Sequence, residues 1–194
     1  MPDILKVGLK LFIITAIAAL ILGVTHLATQ GPIEQQRINA ANLAKQTVLP
    51  QAEDFNEVDI VSEAAQNDKA KILEINAGMK ENELKGYTFK VITNGYGGEI
   101  EITVGINMDG RVEGVQIGEH SETPGLGAKI IEETFTNQYN GKEIENPISV
   151  TKNEPGDQEI QAISGATVSS HAVNDGVNLA AQYFLEILLS GGGQ

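Results

Sequence analysis

"EIEITVGINMDGRVEGVQIGEH", residues 99–120, decides how this chain folds. Ile100, Ile102, Val104 and Ile106 alternate strictly, so all four fall on one face of a strand. Asp109-Gly110 supplies the turn, and Val112, Val115 and Ile117 bring the chain back with a change of phase at Glu113-Gly114 that predicts a bulge. A hairpin with one apolar face is not stable alone in water. It needs more strands and a cover.

"GYTFKVIT", 86–93, closed by the turn formers of "NGYGG", 94–98, predicts a third antiparallel strand. "KAKILEINA", 69–77, is a weaker strand, because Ile72 beside Leu73 breaks the alternation, and "NPISV", 146–150, supplies a short one. Two helical patterns provide the cover. "GAKIIEETFTNQY", 127–139, puts Ile130, Ile131, Phe135 and Tyr139 near one side. "SSHAVNDGVNLAAQYFLEILL", 169–189, carries a broad stripe of Val173, Val177, Ala180, Ala181, Phe184, Leu185 and Leu188. The expected domain, residues 51–189, is α+β: an antiparallel sheet packed with helices, followed by an unstructured tail at 190–194.

A second element precedes it. "LFIITAIAALILGVTHLA", Leu11–Ala28, has only Thr15, Thr25 and His26 as polar side chains, and at about 1.5 Å per residue it makes a helix of about 27 Å, enough to span a bilayer. The run exceeds the roughly 7 to 15 apolar residues of a signal peptide, and His26 with Ala28 makes a poor cleavage pair. A buried core helix this apolar would leave a small domain little else to build. Lys6 and Lys10 before the run place residues 1–10 in the cytoplasm and the rest outside, a single-pass protein of the cell membrane. Gly31-Pro32 marks the expected exit. Residues 29–50 then read as an amphipathic connector, with Ile33, Ile38, Leu43 and Val48 at loose helical spacing.

Composition narrows the chemistry. With 26 Asp and Glu against 13 Lys and Arg, net charge −13, the chain offers no cationic surface for nucleic acid. The absence of cysteine removes disulfides, thiolate metal sites and cysteine-ligated iron–sulfur clusters, and no other metal site is expected.

Two glycine-lined loops remain: "HSETPGLGAKI", 120–130, and "ISGATVSSHA", 163–172. Taken alone, the second is a helix start with Ser164, Thr167, Ser169 or Ser170 as cap, and the first a surface turn. The other reading gives both a ligand, since backbone N–H groups at such turns take an anion or the carbonyl edge of a planar ring. Neither loop has the glycine spacing of a Rossmann or P-loop nucleotide site.

At these residues the chain resembles the FMN-binding domain family, and within it the G subunits of Rnf electron transport complexes. The similarity runs through the apolar N-terminal segment, "GYGGEIEITVGI", "DGRVEGVQIGEHSETPGLGAKI", "FTNQYNGK" and "ISGATVSSHAV". It implies FMN joined by a phosphoester bond to the threonine that ends Ser-Gly-Ala-Thr, here Thr167, with Ser164, Gly165, Ala166 and Ser169 beside it. A separate magnesium-dependent flavin transferase would install the bond. His120, Glu122, Thr123, Gly125, Leu126, Gly127 and Lys129 would line the ring or the ribityl chain, with Thr123 donating to a ring carbonyl and Leu126 covering a face. His120, Glu122 and Lys129 also have plain surface readings, and Tyr96 either stacks on the flavin or packs at the sheet edge.

No catalytic residue is implied, and His171 faces Thr167 only if the helix begins early. The implied role is an electron relay among the other membrane and redox subunits of an ion-translocating ferredoxin:NAD oxidoreductase, with no substrate turnover of its own. One position departs from the family pattern: Gln161 stands where an aspartate often precedes the threonine by six residues. The alternatives are the C subunit of a sodium-translocating NADH:quinone oxidoreductase, a membrane-anchored regulatory FMN protein, and a tether without cofactor.

Overall fold

The computed structural model describes residues 2–59 and 65–189 of the chain. They form two units, one up to Asn42 and one from Leu43 onward. The first consists of helix α1, Pro2–Val48, whose last turns belong to the second unit. Its apolar part is long and apolar enough to cross a membrane. The hydroxyls of Thr15, Thr25 and Thr29 donate to the carbonyls of Leu11, Ile21 and Thr25 at 2.9–3.0 Å, which hides them from an apolar surrounding. The helix does not stop at Gly31-Pro32. Pro32 lies inside it, and the Glu, Gln, Ala, Leu and Lys of the following turns carry the helix past the one hydrogen bond that proline removes.

The second unit is built on a five-stranded antiparallel meander: β1 Asp54–Glu57, β2 Ala70–Lys80, β3 Glu83–Asn94, β4 Glu99–Asn107 and β5 Val112–His120, paired in that order. Val104 of β4 stands opposite Phe89 on one side and Val115 on the other. The expected bulge is present: Gly105 pairs with Gly114 and Ile106 with Val112, leaving Glu113 out of register. The weak strand is a full member of the sheet. Its break in alternation is a second bulge between Ile72 and Glu74, which buries Ile72 and Ile75 and turns Leu73 outward.

Helix α3, Thr167–Tyr183, continues as a π-helical turn, Phe184–Leu189, and covers the apolar face. Val173, Val177, Ala180, Ala181 and Phe184 are buried there, with Tyr183 edge-on to Phe89 and Phe184 edge-on to Tyr87. The side chain of Leu188 and residues 190–194 lie outside the described part. On the opposite face the sheet receives the end of α1. A Cβ on Gly105 or Gly114 would strike the backbone of Val48, and one on Gly78 would strike the Leu49 side chain, so glycines on three strands make the floor on which this turn rests. Lys45 then pairs with Glu74 at 2.6 Å. Burial raises the Glu74 carboxyl, but hydrogen bonds from Lys45 and Asn76 and the charges of Lys45 and Lys90 outweigh it and leave the group below its ordinary value.

The helix expected over 127–139 is broken. A 3₁₀ turn, Gly127–Ile131, is followed by the single turn α2, Glu133–Thr136, and another 3₁₀ turn, Asn137–Tyr139. Glu132 between them is extended, φ −70° and ψ 138°, and this resets the phase so that Ile130, Phe135 and Tyr139 are buried while Ile131 is exposed. The short strand near 146–150 is β6, Ser149–Thr151, and it pairs in parallel with β7, Glu159–Gln161. Strand β7 feeds directly into the loop ahead of α3.

Candidate functional site

The loop from β7 to α3 is held from both ends. At its start, Gln161 N donates to Gln138 Oε1 at 2.7 Å and Gln138 Nε2 donates to Gln161 O at 3.4 Å. At its end, Ile163 N donates to Ser170 Oγ at 3.0 Å, and that hydroxyl donates to Ala166 O at 2.9 Å. Between them Gly165 has φ +80°, a left-handed conformation that favours glycine.

None of the four hydroxyl residues caps the helix. The N-cap position is Ala166, which has no side chain to offer, and Thr167 is the first helical residue. Thr167 is half-buried, and among the described residues its hydroxyl has no hydrogen-bond partner. Helix α3 therefore begins two residues before the expected Ser169, which puts His171 one turn along from Thr167, exposed.

The second loop is fixed by a buried carboxylate. Glu122 is only 5% exposed. Its Oε1 accepts from Tyr96 N at 2.8 Å and Gly97 N at 3.0 Å, and its Oε2 accepts from Ser169 Oγ at 2.6 Å. Its own N–H donates to His120 Nδ1 at 3.2 Å. A Cβ on Gly95 or on Gly127 would run into the carboxylate, so glycine at both positions lets the backbone close over it. One charged group thus joins the 94–98 turn, the 120–127 loop and the first turn of α3. Above it, Gly125 has φ +77° with open space around it, and Leu126 is about half exposed, its Cδ2 lying 3.3 Å from where a Cβ on Gly165 would stand.

The β7–α3 loop and the broken helix border an open groove of about 570 Å³. Thr167, Gly165 and Ser164 line it together with Lys129, Glu132, Thr134, Phe135, Gln138, Lys152 and Gln161–Ile163. Tyr96, Leu126, Ile131 and Val168 expose apolar surface on the loops and turns that build this end of the domain. The arrangement offers an unengaged hydroxyl at a helix start, two lysines, carboxamides and nearby apolar surface. That set fits a phosphorylated planar ligand. Among the described residues no group of His, Asp or Glu is placed to hold a metal ion.

Residues 95–182, which include both loops and most of α3, match the FMN-binding domain family. Over 190 residues the chain is 39% identical to the G subunit of the Na(+)-translocating ferredoxin:NAD(+) oxidoreductase complex of Acetobacterium woodii, covering 93% of this chain and 91% of that one. It is 32% identical to the G subunit of the ion-translocating oxidoreductase complex of Methanosarcina acetivorans, covering 93% and 94%. The chain belongs to this family of G subunits and carries its FMN-binding domain.

The fold is shared more widely. The C subunit of the Na(+)-translocating NADH-quinone reductase from Parabacteroides distasonis superposes with a TM-score of 0.52 at 24% identity, over 65% of this chain and 66% of that one. NqrC of Shewanella oneidensis gives 0.54 at 17%, over 78% and 74%.

Within this G-type FMN-binding domain the residues singled out from sequence divide into three sets. Ser164, Gly165, Thr167 and Lys129 line the groove. Glu122, Gly127, Ala166 and Ser169 are buried beneath the loops and hold them in place. Thr123, Gly125 and Leu126 are exposed on the second loop, His120 is half-buried at the end of β5, and Tyr96 presents an exposed ring while its N–H serves the carboxylate. Gln138, Lys152 and Glu132 were missed. They come from segments well before Thr167 in sequence, two of them on the broken helix, and no periodic or glycine pattern marks them.

Proposed function

We propose that the chain is the electron-carrying subunit of a membrane-bound ferredoxin:NAD oxidoreductase complex of the Rnf type, with FMN held covalently through a phosphoester to Thr167. The observation that carries this reading is the Thr167 hydroxyl. It stands at a helix start, borders a groove, and takes no part in capping the helix or tying down the loop. An alanine occupies the cap position, while Ser169 and Ser170 are committed to Glu122 and to Ile163 and Ala166. The full-length similarity to G subunits supports placing it among other membrane and redox subunits.

FMN would supply one- and two-electron redox chemistry that no side chain here possesses. The protein's part is placement. Glu122 and Ser170 fix the two loops, the N–H groups of the first turn of α3 have no intrahelical acceptors and favour a phosphate oxygen, and Leu126 offers apolar contact with Thr123 as a hydroxyl donor. A diester keeps one negative charge and cannot dissociate, which suits a domain on the outer side of the membrane, away from cytoplasmic flavin. A flavin transferase of the cell would attach it, since among the described residues the Thr167 hydroxyl has no hydrogen-bond partner to activate it. Lys6 and Lys10 ahead of the apolar segment support an orientation with the N-terminus in the cytoplasm.

Mass spectrometry of protein from a host with the transferase tests this directly. The expected result is a gain equal to FMN less one water, with fragmentation placing it on Thr167. The same mass on Ser164 moves the site, and an unmodified chain from its native membrane overturns the covalent reading.

A further inference from the structure

The cations of the second unit are almost all spoken for. Lys45, Lys69, Lys80, Lys85, Lys90 and Arg111 pair with Glu74, Asp175, Glu53, Glu83, Glu101 and Glu143, and Lys142 donates to the carbonyl of Asp157. Among the described residues of this unit only Lys71, Lys129 and Lys152 have no partner. Two of those three line the groove of Thr167. In a chain with twice as many carboxylates as cations, two unpaired lysines arriving in one groove from segments 23 residues apart call for an anion that the protein does not supply.

We infer that Lys129 and Lys152 form the seat of the flavin's phosphate, an inference that rests on the FMN reading above. Gln161 fits this arrangement. It lines the same groove with a neutral carboxamide, so it gives the lysines no carboxylate to pair with and leaves them free for the phosphate. Glu132 is the acid that shares the groove, and it makes no ion pair with either lysine. Lys152 is thereby a positioning residue for the phosphate, contributed by the segment just after β6.

The test uses the full chain in detergent, modified in cells, and reads the ³¹P resonance of the phosphodiester. The resonance of the folded protein is expected to be displaced from its position in the same protein unfolded in urea. Lys129→Gln with Lys152→Gln should move it most of the way back, Lys→Arg at both positions should hold it, and Lys71→Gln should leave it unchanged. A Thr167→Val chain gives a second readout that needs no attachment: it should bind FMN about fivefold more tightly than riboflavin, the preference expected of partly exposed charge contacts to a phosphate, and the double Lys→Gln change should abolish the preference. A ³¹P line unmoved by the double substitution, or equal affinity for the two flavins, overturns the seat and leaves the FMN reading standing. Absence of covalent phosphorus together with absence of the FMN mass overturns that reading, and the seat falls with it.

Discussion

Glu122 Oε2 accepts a hydrogen bond from Ser169 Oγ at 2.6 Å across 47 residues of sequence, with both side chains buried. This contact is what brings the two glycine loops together. Removing its parts should have graded effects. Glu122→Ala leaves the N–H groups of Tyr96 and Gly97 and the Ser169 hydroxyl without their acceptor and should cost the most, on the order of 3 kcal/mol or more in thermal or urea unfolding. Ser169→Ala strips one donor from a buried carboxylate and should cost about 1–3 kcal/mol. Glu122→Gln should be mildest, because the carboxamide oxygen still serves the two N–H groups and its NH₂ can donate to Ser169. An inverted order would show that the carboxylate does not organise the loops.

Glycines 125 and 127 are required for different reasons, and alanine separates them. At Gly125 nothing obstructs a Cβ, so only the φ of +77° penalises the change, by about 1–2 kcal/mol. At Gly127 the added Cβ meets Glu122 Oε2, with Ser169 Oγ at 3.0 Å, so Gly127→Ala should be the more destabilising and should not add to Ser169→Ala in a double mutant. Additive losses would separate Gly127 from the carboxylate contact.

Much of the fold was legible because strand alternation is a local signal. The β4–β5 hairpin, its bulge and the stripe of α3 follow from residues adjacent in sequence. The break at Glu132 and the run of α1 through Pro32 were not legible, since both depend on backbone choices that periodicity does not record. At the site, the glycines and hydroxyls of the two loops marked the place but not their division of labour. Ser169 and Ser170 look like caps in sequence and prove to be buried ties to Glu122 and to the loop backbone, because the acceptor for one and the donor for the other lie 47 and 7 residues away. Lys152 and Gln138 carry no local mark at all.

Tyr139 is fully buried, its hydroxyl has no protein partner among the described residues, and burial together with the charge of Asp175 holds its phenol well above the ordinary range. A folded-state value above the unfolded one means that stability is fully present below the unfolded value, near 10, and is lost as pH rises past it. Tyr139→Phe should therefore be neutral or stabilising by up to about 1 kcal/mol at pH 7, and should retain more of its stability than the parent above pH 10 in urea titrations. Parallel alkaline losses in the two proteins would assign the effect to other groups.

Thr167→Val separates attachment from folding. If the hydroxyl were the helix cap, its loss should cost about 1 kcal/mol. Ala166 holds that position, and the Thr167 hydroxyl makes no hydrogen bond among the described residues, so the isosteric change should leave urea stability of the unmodified chain within about 0.5 kcal/mol of the parent. The same variant made alongside the transferase should lose covalent flavin completely, with no yellow band on a denaturing gel. Thr167→Ser keeps an oxygen on the same turn, so any attachment it recovers measures how far the transferase depends on the methyl group that restricts the threonine rotamer. Loss of a full kilocalorie in Thr167→Val would return this hydroxyl to the fold and remove the observation on which the attachment site rests.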